Sequence, residues 1–308
     1  TSMKNYLIIG GAGFLGSHLV KTLIYNQTKI TVSDIIGPEY VSKIKQHMNK
    51  INYIWKSTED LKEQDLEGID CVVFLAAQAD VPLVLSSPKY SFYSNISGLI
   101  NVLELLRVKK NIHLIYMSSK NVYGKAEKLP IDEEQPLKPT DPYGASKAAA
   151  DLICQSYSTA FELPITVIRS SGLFGPKSRL QQVIPIFIKQ ALSNSQITIE
   201  GDGSQSTDFN YVQNLVDAII SISESNIYGV YNVAYGKEYS IKEIADMILK
   251  KTNSKSSIKS LPWRSGEKGM KLSLSIDKAR NDFGYSPSVS FEDGIDRTIE
   301  WVKNINGN

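Results

Sequence analysis

The chain has little of several things, and each scarcity closes off a class of protein. Only two cysteines occur in 308 residues. Both sit in apolar surroundings, Cys71 in "IDCVVFLAA" and Cys154 in "ADLICQSY". That excludes a disulfide framework and reads as buried small hydrophobes of a reducing compartment. The three histidines, His18, His47 and His113, are scattered, with no cysteine or carboxylate at ligand spacing. No metal is therefore assigned. Neither sign of charge dominates, since the formal net charge is +2. A nucleic-acid partner would leave a basic footprint, and none is present. The apolar N-terminal stretch "LIIGGAGFLGSHLV" is broken by glycines and followed by no small-residue cleavage site. Neither a signal peptide nor a membrane span is expected, and a cytoplasmic protein is the default.

What is present is a hydrophobic share of 42%, ample for a large domain with a smaller lobe. Strand-like runs fall at 5–10, 29–34, 51–55, 71–77, 112–119 and 164–171. They are apolar nearly throughout, as strands covered on both faces are. Helical patterns lie between them; in 98–107, Leu99, Val102, Leu103 and Leu106 share one face. The alternation implies α/β architecture: a doubly wound parallel (Rossmann) sheet with its strand C-termini on one edge. After about residue 170 short strands mix with helices at 181–192, 212–223, 241–251 and 291–303. The division expected is a nucleotide-binding domain over 1–170, with 205–235 returning to it. A smaller C-terminal α/β substrate lobe takes 171–204 and 236–308. The polar loops 125–142 and 261–271 are long enough to be functional loops or lids.

"LIIGGAGFLGSHLVKTLI" runs from strand to glycine turn to helix, with Gly10, Gly13 and Gly16 spaced G-x-x-G-x-x-G. Glycine lets backbone N–H groups approach a pyrophosphate, and the helix beginning near Phe14 and Leu15 points its positive end at that anion. The second strand ends in Asp34, placed to accept from both hydroxyls of an adenosine ribose. A carboxylate there repels a 2′-phosphate, which favours NAD over NADP. A tight loop alone would also use glycines. Strand, glycines, helix and acid in this order favour the cofactor.

The fifth strand ends "MSSKNVYG", and "DPYGASKAAAD" opens the next helix. Tyr143 and Lys147 are i and i+4 and so share a face. A free phenol titrates near ~10 and is a poor base at neutral pH. A nearby ammonium and a positive nicotinamide ring would favour the phenolate and lower that value. Gly144 and the alanines would leave room for a flat ring against the helix. Tyr143 is then a proton-transfer group, Lys147 its tuner and a holder of the nicotinamide ribose, and Ser119 a hydroxyl that holds the reacting oxygen.

Together these motifs resemble the extended short-chain dehydrogenase/reductase superfamily, and within it the NAD-dependent sugar-nucleotide epimerase/dehydratase family (UDP-glucose 4-epimerase-like). "GGAGFLGSHL", "FLAAQADV", "NISGLINVLE", "SSKNVYG", the Y-x-x-x-K pair, "GLFGP", "EGDGSQSTDFNYVQNLV" and "RSGEK" carry the likeness over nearly the whole chain. It implies bound NAD, with Ala76, Ala77, Asn95 and Lys147 joining the glycines and Asp34 as contacts. It implies a nucleotide-sugar substrate, touched by Lys120, Tyr123, Arg179, Val183, Thr207 and Arg264. It also implies a homodimer formed through the helices at about 89–108 and 143–160.

The shared first step in that family yields a keto-sugar that can be epimerised, dehydrated or decarboxylated. Its 4,6-dehydratases carry Asp–Glu after the serine, and its decarboxylases a glutamate at the second of those positions; this chain has Lys120 and Asn121. Epimerisation of a UDP-hexose at C4 therefore leads. Another sugar-nucleotide-modifying activity on a dTDP-, GDP- or CDP-sugar, or a non-catalytic NAD-binding regulator, is the alternative. Three departures stand out, one of them Gly172, which takes the place of an asparagine often seen before the turn that follows. Thr207 occupies the place of an arginine that grips the diphosphate, and Lys120 puts a cation beside Ser119. Lys120 would either contact an anionic or keto group of the sugar or lower the Tyr143 pKa.

Overall fold

The computed structural model describes residues 4–77, 86–263 and 268–306. Six strands arise in the first half: β1 (Tyr6–Ile9), β2 (Ile30–Asp34), β3 (Asn52–Trp55), β4 (Cys71–Phe74), β5 (His113–Ser119) and β6 (Ile165–Ser170). A seventh, β10 (Gly229–Val233), joins them from far along the chain. The spatial order is β10-β6-β5-β4-β1-β2-β3, and every neighbouring pair is parallel. This is a Rossmann sheet. Its winding reverses at β1, between β2 and β4, and a crevice opens beyond the strand ends there.

Strand residues alternate between the two faces, as a period of two requires. Tyr6, Ile8, Val73 and Ile115 join one apolar cluster; Leu7, Ile9, Val72 and Leu114 join the other. On the first face lie α1 (Phe14–Tyr25), through Leu19, Val20 and Leu23, and α5 (Val212–Ser225), through Leu215, Val216 and Ile219. On the second lie α2 (Pro88–Lys109), through Leu99, Val102, Leu103 and Leu106, and α3 (Pro142–Phe161), through Ala150 and Cys154. Full burial of each large aliphatic side chain is worth about 1.5–3 kcal/mol, so these stripes fix the layers.

The lobe has its own core. In it β9 (Ser206–Tyr211) pairs with β7 (Gly172–Phe174), β11 (Glu238–Ser240) and β13 (Lys271–Leu272). A second ribbon joins β8 (Ile197–Glu200) to β12 (Ile258–Leu261). Helices α4 (Val183–Leu192), α6 (Ile241–Thr252) and α7 (Phe291–Asn306) cover them with Ile184, Ile188, Ile244, Ile248, Ile295 and Ile299. Between β9 and β11 the chain returns to the first layer as α5 and β10. The loop 125–141 is stitched down at its centre and is not a free lid there. Ile131 is buried and exchanges backbone hydrogen bonds with Ser273 and Ser275, while Glu133 accepts the Asn232 N–H of β10 at 2.7 Å.

Helix α3 begins where its sequence says it should. The Asp141 carboxylate accepts the Gly144 N–H at 2.8 Å, and Pro142 occupies the first turn, where a missing N–H costs nothing. Two turns on, the fully buried Asp151 carboxylate accepts from Arg169 Nε at 2.9 Å, Arg169 Nη2 at 3.2 Å, Ser118 Oγ at 2.8 Å and Gln155 Nε2 at 2.6 Å. Arg169 is itself 4% exposed. Arg169→Met should leave a buried carboxylate without its cation, a loss of about 3–5 kcal/mol. The urea midpoint should fall accordingly, and a midpoint equal to wild type would contradict the anchoring role.

Candidate active site

The turn between β1 and α1 forms one wall of the crevice. Gly10 lies in the left-handed region at φ +78°, and a Cβ there would come within 2.7 Å of Ala76 N. A Cβ on Gly16 would stand 2.5 Å from Gly11 O, which binds the helix tightly to the turn. Gly11 was not singled out from the sequence, yet a Cβ on it would meet Val32 Cγ1 at 2.8 Å. The helix N-cap, Gly13, makes no side-chain bond, so the leading N–H groups at Phe14, Leu15 and Gly16 have no capping side chain. Asp34 closes this cradle. Its Oδ2 accepts from Ala12 N at 3.0 Å and its Oδ1 from Ile36 N at 3.2 Å. Ala76 and Ala77 continue from β4 along the crevice edge, with Ala77 exposed. Asn95 is buried and donates to Ser146 Oγ at 3.1 Å, tying α2 to α3.

Across the crevice, β5 and α3 bring Ser119 and Tyr143 together, close enough for the serine hydroxyl to act on the phenol. Gly144 makes this possible in a way the sequence expectation did not anticipate. A Cβ there would lie 2.6 Å from Asn121 O. The small residue serves close approach of α3 to the turn after β5, not space for a ring. Ser119 Oγ accepts from Asn121 N at 3.2 Å. The Tyr143 phenol is held above its ordinary range, opposite in direction to the expectation. Burial is the main cause; the Ser119 hydrogen bond and the Arg179 charge pull it down, and Asp141 pushes it up. Lys147 does not face the phenol. Its ammonium donates to Met117 O at 2.6 Å and to Tyr116 Oη at 3.1 Å, and burial drops its pKa to about 8.

The lobe contributes a cavity of about 390 Å³ beside β8 and β9, lined in part by Val183, Phe187, Gln190, Gln205, Ser206, Thr207 and Phe209. Gln190 Oε1, Gln205 Oε1 and Ser206 Oγ are buried there without a hydrogen-bond partner. Buried polar atoms in native proteins are nearly always satisfied, by protein groups or by ordered water. Lys120 reaches over from the end of β5, donates to Thr207 Oγ1 at 2.5 Å and lies 5.8 Å from the Phe209 ring centre. Tyr123, named from the sequence as a substrate contact, is placed in the core. It is 0% exposed, its hydroxyl donates to Asn232 Oδ1 at 2.6 Å, and Arg169 Nη1 donates to it at 3.1 Å. The side chain therefore has no free surface to offer a ligand. Arg179 is exposed at the cleft, and Arg264 lies outside the described residues. Missed from the sequence were Asp151 and Arg169 beneath the site and Tyr116 behind Lys147. Asp151 did carry a signal, since it is four residues past Lys147 on the same helix face.

Residues 6–234 match the NAD dependent epimerase/dehydratase family. The chain belongs to that family. A putative UDP-glucose 4-epimerase of Methanocaldococcus jannaschii is 31% identical over 97% of this chain and 99% of its own length. A dTDP-D-glucose 4,6-dehydratase of Homo sapiens is 30% identical over 97% of this chain and 90% of its own. Among solved structures, a UDP-glucuronic acid 4-epimerase of Bacillus cereus, in complex with UDP-glucuronic acid and NAD, superposes with a TM-score of 0.89. It is 28% identical and covers 98% of this chain and 99% of its own. NAD is the cofactor, and the cradle fits it. Gly10, Gly11 and Gly16 leave no room for a Cβ, the helix end offers N–H groups to a pyrophosphate, and Asp34 stands at the end of β2.

Gly10→Ala combines a left-handed backbone with a Cβ pressed on Ala76. It should lower NAD affinity at least tenfold, about 1.4 kcal/mol, in a fluorescence titration. Unchanged affinity would mean that the cradle does not hold the dinucleotide.

Proposed function

We propose that this protein is a sugar-nucleotide 4-epimerase acting on a UDP-hexose through a transient 4-keto sugar. The observation that carries this reading is the Ser119–Tyr143 contact, flanked at position 121 by an amide where elimination would need a carboxylate. Asn121 Oδ1 lies 3.4 Å from Ser119 Oγ. Loss of water from the keto-sugar requires an acid at the departing hydroxyl and a base at the neighbouring carbon. Lys120 and Asn121 bring no carboxylate to those places. Epimerisation asks only that the ketone turn over in the cleft before it is reduced again. The likeness to a putative UDP-glucose 4-epimerase supports the choice of uridine.

When bound, NAD supplies the acceptor, and later the donor, of the hydride at sugar C4. The glycine turn and Asp34 would hold it. Lys147, fixed by Met117 and Tyr116, keeps a further N–H for its ribose. Once it has lost its own proton, which a positive charge arriving in the cleft would favour, Tyr143 as phenolate takes the proton of the sugar 4-hydroxyl and gives it back. Ser119, oriented by the Asn121 N–H, bridges the sugar oxygen and the phenol. Arg179 favours the phenolate by charge. The lobe cavity takes the nucleotide, whose polar edges answer Gln190, Gln205 and Ser206. Among the described residues no helix is long and apolar enough to cross a membrane.

A homodimer belongs to the same reading. Helices α2 and α3 lie side by side and carry large apolar side chains outward, among them Tyr93 at 69%, Val108 at 61% and Leu152 at 53% exposure. A second copy would cover both helices by two-fold symmetry. Leu152→Glu should shift the mass measured by light scattering from two chains to one; wild type already at one chain would end the dimer proposal.

The purified protein should be incubated with UDP-, dTDP-, GDP- and CDP-sugars and followed by NMR and mass spectrometry. The expected product is an isomer of equal mass from a UDP-hexose. A product lighter by water or carbon dioxide would overturn the epimerase reading. Tyr143→Phe should cut turnover at least 10²-fold, in the range lost with a general acid–base group, while NAD still binds.

A further inference from the structure

Lys120 is a cation whose surroundings do not account for its charge. It is half-buried, against Thr207 and Phe209, two residues that line the lobe cavity. Its hydrogen bond runs to a neutral hydroxyl, that of Thr207, and beside it lies the face of the Phe209 ring. Among the described residues no carboxylate lies within salt-bridge distance of it. The nearest acid acting on it is Asp208, whose two oxygens already accept the Tyr235 N–H at 3.0 Å and the Gly236 N–H at 2.8 Å. An ammonium has three donors, and one is used. A partly desolvated cation with spare donors at a cavity mouth is costly unless an anion arrives.

Position decides what kind of anion. Lys120 follows Ser119, which touches Tyr143, and its ammonium meets Thr207 in the cavity wall. It stands between the proton-transfer pair and the nucleotide cavity. We propose that Lys120, steered by Thr207, binds an anionic oxygen of the sugar nucleotide at that junction. This rests on the reading of the cleft as a sugar-nucleotide site and assigns its cation to the end of β5. It also separates the two roles open to Lys120 from the sequence. The ammonium points to the lobe, and the groups acting on the Tyr143 phenol are Ser119, Arg179 and Asp141. The anionic oxygen has two sources with the same chemistry, a phosphoryl group of the diphosphate or a carboxylate on the sugar.

The experiment titrates wild type, Lys120→Met and Lys120→Arg with UDP, dTDP, GDP and CDP by calorimetry, then with UDP-glucose and UDP-glucuronate. NAD affinity and thermal unfolding of each variant show that it is folded. Loss of a charged hydrogen bond should weaken binding about 10- to 100-fold in Lys120→Met, with Lys120→Arg close to wild type. A loss seen already with the nucleoside diphosphate supports the proposal and assigns the oxygen to phosphate. A loss confined to UDP-glucuronate supports it and assigns the oxygen to a carboxylate. Lys120→Met/Thr207→Arg should regain affinity in the phosphate case, because it restores a cation on the facing strand. Wild type that binds and a folded Lys120→Met that matches it with every probe overturns this inference alone. Wild type that binds none of the probes overturns the functional reading as well.

Discussion

The relation between β5 and α3 governs everything else in the cleft, and the Asp151 carboxylate fixes it. Ser118, one residue before Ser119, donates to Asp151, and Arg169 on β6 donates to it twice. The strand that carries Ser119 and the helix that carries Tyr143 are thus locked through a single buried group. Near its N-terminus α3 is pinned again, by the contact of Gly144 with the Asn121 carbonyl. A buried ion pair is seldom more stable than a well-packed apolar pair, so its use lies in registry. Slipping α3 by a fraction of a turn would strand Arg169 and part Tyr143 from Ser119 together. The same guanidinium reaches Tyr123 and the Glu133 carbonyl, so the loop 125–141 and β10 are tied into the same lock.

Against that rigid frame the electrostatics are poised. Burial favours the neutral form of every group it touches. It raises the Tyr143 phenol and lowers Lys147 and Lys120, each of these lysines to about 8. The sequence suggested a phenol already made acidic by its lysine neighbour. The fold instead points that lysine at Met117 and Tyr116 and leaves the phenol protonated. A charge arriving beside a desolvated phenol acts with less screening than in water. In the proposed mechanism, proton transfer is therefore tied to what fills the cleft.

Much of the architecture was legible because hydrophobic periodicity is a local signal. The β-branched runs at 29–34, 112–119 and 164–171 became β2, β5 and β6 with one-residue changes at their ends. The glycine turn and Asp34 were legible because their spacing serves one geometry. Less legible were contacts between residues far apart in sequence. Nothing at Tyr123 announces that Asn232, 109 positions away, will take its hydroxyl. A tyrosine next to a site motif looks like a contact, and only burial shows it to be core. Gly144 was read as room for a ring because its neighbour across the gap, the Asn121 carbonyl, is a backbone atom that no side-chain pattern reveals. Lys120 and Thr207 each stood out as departures, but 87 residues separate them. That they meet is a property of the fold.

Their meeting also shows why overall likeness cannot choose among reactions. The chain is 31% identical to a putative epimerase and 30% identical to a dehydratase. A difference of that size carries no chemical information. What happens to a ketone after it forms depends on which atoms stand within bonding distance of its neighbouring carbons. The two residues after Ser119 are an ammonium turned toward the lobe and an amide turned toward Ser119. Neither can serve as the carboxylate acid and base of an elimination. On the reading proposed above, the ketone is left with the route back, and what varies is the face it presents when reduced.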